Sequence, residues 1–287
     1  MSDTLTDETW SILLERINNQ RCVPFLGAGA SFPALPLGPT IAVDWAREYN
    51  YPGDNPKNLV EVAQFLAIRF TPLTPKEKIL KQLNGAVPPD FNAADEPHGL
   101  LADLPLPIYL TTNYDDFMVR ALKSRYRDVR RELCRWNPLI ENEPSVFDND
   151  FIPTVANPVV FHLHGHTIPE SIVLTEDDYL CFLANIGRAK LLPPRIQEAL
   201  TRSTCVFIGY RLADWNFRVL FQGLRAYSMA GASIAVLKPP GDDEVARRQR
   251  EYLDRYYAKT MELKVYWGTA REFAAELRER WEKVSKN

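Results

Sequence analysis

An α/β fold is predicted by three features of this sequence: short apolar runs that alternate with helical patterns, glycine and polar residues stationed at the ends of those runs, and an ordinary globular composition. Of the 287 residues, 46% are hydrophobic and 25% charged, enough apolar material to bury a sizeable core. The formal net charge of -3 exerts no bulk pull on nucleic acid or on an anionic membrane, so neither is an expected partner. No apolar stretch reaches the ~18 residues of a membrane span. The start, Met1-Ser2-Asp3-Thr4, has neither the basic nor the apolar region of a secretion signal. Cys22, Cys134, Cys181 and Cys205 are scattered, with no CxxC pair and no zinc-ribbon spacing. A reduced, cytoplasmic protein is the expectation.

The elements follow in order. Trp10, Leu13, Leu14 and Ile17 share one face of a helix over 7–19, with Thr6 or Asp7 to cap it. Residues 22–26 form a buried strand that runs into the tight turn Gly27-Ala28-Gly29-Ala30-Ser31. Residues 32–105 are punctuated by proline, with helical patterns at about 41–49, 57–70, 75–84 and 96–103. Proline marks helix starts and stops, so this stretch reads as a mostly helical insertion or lid within one domain over 1–287. Further strands are expected at 108–112, 128–135, 159–164, 205–209, 233–237 and 263–267. Helices are expected between them: from about 116 to 123, at 176–186, 194–201, 214–227 and 243–258, and after Thr269 through Trp281.

Apolar strands alternating with helices build a parallel sheet covered on both faces, a Rossmann-like arrangement. Ligands of such sheets bind outside the carboxyl ends of the strands. Four of those ends carry unusual residues: Gly27–Ser31, Asn113–Asp115, His164–Gly165 and Gly209. Glycines in the first let a backbone approach a pyrophosphate, although Ala30-Ser31-Phe32 departs from the full GxGxxG pattern and a plain tight turn is the alternative. Asn113 can hold a water or a ribose hydroxyl; equally, Asn113 or Asp115 can cap the helix that follows. His162, His164 and His166 would share one face of a straight strand, a spacing open to a metal site, a catalytic base or plain structural roles. Seven basic residues between Arg120 and Arg135 read as a solvated face, with an acidic partner or nucleic acid as the alternative.

FLGAGAS at 25–31, TTNYD at 111–115, HLHG at 162–165, SIVLTEDDYLCFL at 171–183 and FIGYRLADWNFRVLF at 207–221 occur in this order. Together they resemble the sirtuin-like NAD-consuming family, in its bacterial defence-associated branch. The resemblance implies that Gly27, Ala28, Gly29 and Ser31 hold the diphosphate of NAD and that Asn113 and Asp115 lie beside the nicotinamide ribose. It implies that His164 is the catalytic histidine and that Gly209 supports the adenosine half. Asp214 falls in the segment after that strand, among the cofactor-binding candidates. Protein-deacylating sirtuins carry a small zinc module with paired cysteines, which this sequence lacks. The resemblance therefore implies an NAD glycohydrolase that depletes NAD during infection, with NAD as substrate and no metal.

The chemistry is consistent with those residues. Breaking the nicotinamide–ribose bond builds an oxocarbenium-like charge, and nicotinamide leaves neutral. His164 can accept a proton from water or a ribose hydroxyl, and Asn113 can orient that water. Three alternatives stand beside this reading: a module that senses NAD or a nucleotide derivative without turnover, an NAD-dependent protein deacylase, and a metal-dependent hydrolase using the three histidines. Nearly all of the 287 residues are accounted for by the sheet, its helices and the insertion, so control is expected from assembly. A homo-oligomer or, as the resemblance implies, a HerA-like ATPase is the expected partner, ahead of a short Argonaute.

Overall fold

Seven strands form one sheet, every pair of neighbours parallel. They are seen in a computed structural model that describes residues 5–83, 85–186, 191–210, 221, 223, 233–241 and 243–285. In chain order the elements are α1 (Asp7–Asn18), β1 (Cys22–Leu26), α2 (Gly38–Tyr49), α3 (Leu59–Arg69), α4 (Thr74–Leu83) and α5 (Pro97–Asp103). Then come β2 (Ile108–Thr111), α6 (Phe117–Ser124), β3 (Arg130–Leu133), β4 (Val159–His162), α7 (Glu176–Ile186), α8 (Pro194–Arg202) and β5 (Thr204–Ile208). β6 (Ser233–Leu237), α9 (Glu244–Tyr256), β7 (Leu263–Trp267) and α10 (Ala270–Ser285) complete the set. Of the helix expected at 214–227 only residues 221 and 223 are described, and Asp214 lies outside the described residues.

The strand order is β3-β4-β2-β1-β5-β6-β7. Successive side chains of a strand point to opposite faces, and here both faces are covered. Val23 and Phe25 of β1 join one apolar cluster, while Cys22 and Leu26 join the other. The first cluster lies under Phe182 of α7 and Ile196 and Leu200 of α8. The second lies under α1, α5, α6 and α10, with Trp10 stacked on Phe273 at 5.6 Å. That double covering explains why the strands read as continuous apolar runs.

The stretch 32–105 does two different things. Helices α2, α3 and α4 enclose an apolar cluster of their own, built from Ile41, Trp45, Val62, Leu66 and Ile79, which Ile172 and Leu174 complete. Helix α5 instead packs Leu100 and Leu101 onto the sheet. The basic run is largely neutralised by the protein itself: Arg120 and Arg131 pair with Asp116, Arg125 with Asp103, Arg130 with Asp128, and Arg135 with Glu132. This favours the solvated-face reading. No helix among the described residues is long and apolar enough to cross a membrane.

From β1 the chain passes to β2 on one side, and only after β4 does it cross to β5 on the other. The carboxyl ends of β1 and β5 therefore flank the topological switch point, where ligands of doubly wound sheets bind. The loops leaving these two strands are bonded together, Gly27 N donating to Ile208 O and Gly29 N to Gly209 O, both at 2.9 Å. Gly209 has φ +82°, and a Cβ there would lie 2.3 Å from Ala30 N. Alanine at 209 is consequently both strained and crowded. We expect Gly209→Ala to lower stability by at least about 1–2 kcal/mol in urea unfolding. Gly85→Ala, where nothing lies within 4 Å, should be neutral or up to about 1 kcal/mol stabilising.

Candidate active site

The end of β2 is tied to the end of β1 by side chains. Thr111 Oγ1 donates to Leu26 O at 3.1 Å and accepts from Asn113 N at 2.9 Å. Asn113, 8% exposed, turns its amide toward the glycine turn, where Nδ2 donates to Gly27 O and to Ser31 Oγ, each at 3.1 Å. Ser31 Oγ donates onward to Asp115 Oδ2 at 2.8 Å. Asp115 Oδ1 accepts from Phe117 N at 3.0 Å, satisfying the first amide of α6 from the residue before the N-cap, Asp116. Asp115 therefore serves the start of α6, and Asn113 is a bridge between loops.

The glycine turn does not open a long helix. It is a single 3-10 turn, Ala28–Ala30. Its amides at Ala30 and Ser31 donate to Gly27 O and Ala28 O, in addition to the bonds of Gly27 and Gly29 to β5. Gly27 and Ser31 are buried, whereas Ala28 is exposed and Gly29 half-buried. The loop is thus rigid and presents Ala28 and Gly29 outward.

The three histidines do not share a face. Strand β4 stops at His162, because the chain turns at Gly165 (φ +80°), where a Cβ would lie 2.2 Å from Ser171 O. The rings of His162 and His166 lie together, centroids 4.8 Å apart. His162 Nδ1 is 3.2 Å from Asn113 O; a carbonyl only accepts, so this nitrogen carries the proton. His164 goes the other way, edge-on to Tyr179 at 5.4 Å and Phe182 at 5.0 Å, both on α7. Its Nε2 is buried without a hydrogen-bond partner among the described residues, as is that of His162. Burial alone pushes His164 down to about 3. Burial first, then the neighbouring charges, brings His162 to about 3 and His166 to about 4. All three are neutral imidazoles at physiological pH. Among the described residues, no group of three or more His, Cys, Asp or Glu is arranged to hold a metal ion.

Two tyrosines that sequence reasoning did not single out join this region. Tyr210 Oη donates to Leu26 O at 2.8 Å and lies 2.9 Å from Thr112 Oγ1, so this side chain of the β5 loop reaches across β1 to β2. Tyr114 Oη donates to Val173 O at 2.6 Å, and Val173 N donates to His164 O at 3.1 Å. The segments bearing Asn113 and His164 are thereby tied to one residue. Tyrosine directly after a motif asparagine and directly after a strand-end glycine was the available signal.

A family model described as SIR2-like domain matches residues 107–265, a stretch that carries Asn113, Asp115, His164 and Gly209. Three similar proteins each bear the name NAD(+) hydrolase ThsA. That of Acinetobacter baumannii (strain 532279) is 24% identical over 229 residues, 75% of this chain and 41% of that protein. The Enterococcus faecium protein is 25% identical over 45% of this chain and 25% of its own length. The Cytobacillus dafuensis protein is 29% identical over 46% of this chain and 24% of its own length. The chain thus spans about two fifths or less of the curated relatives it matches. Among solved structures, a Sir2 enzyme aligns with 98% of this chain at 14% identity and a TM-score of 0.44.

The lowered histidines set an expectation for stability. An unfolded histidine takes a proton below about pH 6.5, whereas the folded rings refuse it down to about 3 or 4. The unfolded state then binds more protons, so stability is full above about pH 6.5 and falls as pH drops below it. Between about pH 6 and 5, while carboxylates are still charged, the loss should approach 1.4 kcal/mol per pH unit for each histidine. Urea unfolding across that range checks this, and His166→Gln should flatten the slope by roughly one histidine's share. A stability independent of pH there would contradict the buried neutral state.

Proposed function

The chain belongs to the SIR2-like domain family, and from that premise we propose that it hydrolyses NAD to nicotinamide and ADP-ribose. The observation that carries the reading is the buried Asn113 bridge at the end of β2. Its Nδ2 is engaged by Gly27 and Ser31, and its Oδ1 is left as an acceptor for a water or a ribose hydroxyl. The names of the relatives support the same substrate.

In this reading the diphosphate lies against the Gly27–Ser31 turn, at Ala28 and Gly29, and Gly209 backs the adenosine half. Asp115, anchored by Ser31 and by the start of α6, supplies negative charge toward the oxocarbenium-like sugar. Burial keeps the His164 imidazole neutral and also weakens it as a base, so in this reading it takes only a share of the proton, at the transition state. Nicotinamide departs uncharged, and no step calls for a metal. Depletion of NAD in anti-phage defence is the role that follows from the resemblance. A homo-oligomer, or a HerA-like ATPase ahead of a short Argonaute, is the assembly assigned to switch it.

Chromatography of NAD incubated with the protein, across a dilution series and with partner added, is the test. Nicotinamide and ADP-ribose should appear without any acyl peptide and in the presence of a chelator. Asn113→Ala and His164→Ala should each cut turnover by about 10²–10⁴ while the protein stays folded. NAD left intact in every assembly would leave a nucleotide-sensing module as the better reading.

A further inference from the structure

We propose that the buried Lys76–Asp178 ion pair is a positioning device for His164: from the α2–α4 unit it fixes helix α7, whose aromatic side chains hold the imidazole. The inference rests on the assignment of His164 as the proton acceptor.

His164 does not hold its own ring in place through Nε2, which is buried without a hydrogen-bond partner among the described residues. The ring is packed edge-on between Tyr179 and Phe182, and both belong to the first two turns of α7. The placement of α7 therefore sets the placement of the imidazole. Tyr179 is the titratable group that faces it.

Asp178 determines where α7 begins. Its Oδ2 accepts from Leu174 N at 3.1 Å and Thr175 N at 2.9 Å, while its own N–H donates to Thr175 Oγ1 at 3.2 Å. Its Oδ1 receives Lys76 Nζ at 2.6 Å, from a helix 102 residues away in sequence. The two side chains are only 7% and 11% exposed. A buried ammonium and a buried carboxylate tolerate desolvation only while they face each other, so the pair admits one arrangement of α4 against α7. Lys76 also lies 5.5 Å from the centre of the Trp136 ring, and Trp136 Nε1 donates to Ser171 O at 2.7 Å. A second link, Gln64 with Asp177, runs beside the pair but is exposed.

The stretch 171–183, conspicuous in the sequence but without a part in the bond-breaking chemistry, acquires a role on this account. It is the strap between the α2–α4 unit and the imidazole. Lys76 and Asp178 touch no reacting atom; they act through Tyr179 and Phe182.

The experiment compares wild type with Lys76→Met and with the double variant K76M/D178N. The double variant leaves no unpaired buried charge and keeps an amide oxygen as acceptor for Leu174 and Thr175. Two readouts are taken: the NMR titration of the His164 ring, and kcat and KM for NAD. The wild-type ring should remain neutral down to about pH 5; in the variants, water reaching the ring should raise its midpoint toward about 6.5. Turnover should fall about 10- to 100-fold while KM moves little, as for a misplaced catalytic group. Lys76→Arg, which keeps the charge, should stay nearer wild type in both readouts. Lys78→Met, which breaks the exposed pair with Glu48 on the same helical unit, should change neither. A folded K76M/D178N protein with wild-type His164 titration and wild-type kcat would overturn the proposal. Should wild type release no nicotinamide in any assembly, the proton-acceptor assignment falls, and the titration alone decides whether the pair holds His164.

Discussion

Asn113 joins two loops from within: its Nδ2 donates to Gly27 O and to Ser31 Oγ, so the ends of β1 and β2 are held in one geometry. The other flank of the glycine turn is held by backbone, Gly29 N on Gly209 O. A loop fixed on both sides cannot drift relative to the three strands that carry it. The strand ends at the switch point are consequently fixed relative to one another, so a ligand held there would meet little ordering cost in these loops. Tyr210, reaching from β5 over Leu26 O to Thr112, reinforces the same three-strand junction.

Buried polar groups without partners are costly, and this protein places two of them within one turn of chain, His162 Nε2 and His164 Nε2. The rings avoid a larger penalty by staying neutral. For His164 the same burial leaves an uncharged ring edge-on to Tyr179 and Phe182. For His162 the use is structural: the proton on Nδ1 holds the Asn113 carbonyl. Two residues apart, the two rings have different surroundings because the chain turns at Gly165.

The parallel sheet could be read from sequence because burial on both faces leaves continuous apolar runs such as Cys22–Leu26 and Thr204–Ile208. Strand order could not be read. β4 inserts between β2 and β3 through pairings such as Thr111 with His162, and nothing local encodes a contact of that separation. The strand-end motifs were visible as residue types, but their roles turned on geometry. Asn113 was balanced between holding a water or ribose hydroxyl and capping α6; the bond at the start of α6 comes from Asp115, and the bridge that Asn113 makes to Gly27 and Ser31 was not read. A straight strand would have put the three histidines on one face, but the chain turns after His162, as Gly165 foretold, and His164 lies apart. Lys76 carried no pattern at all. Lysine on an amphipathic helix reads as solvated, and only the carboxylate of Asp178, far along the chain, makes its burial tolerable.

The central claim is that NAD occupies the crevice framed by the ends of β1, β2 and β5. The most direct measurement is hydrogen exchange with an NAD analogue whose nicotinamide-ribose ring oxygen is replaced by carbon, so that no oxocarbenium ion forms and the complex persists. Protection should concentrate at Gly27–Ser31, Thr112–Asp115 and Gly209–Tyr210, and Asn113→Ala should weaken it. Protection confined to other segments, or none at saturating analogue, would contradict the account.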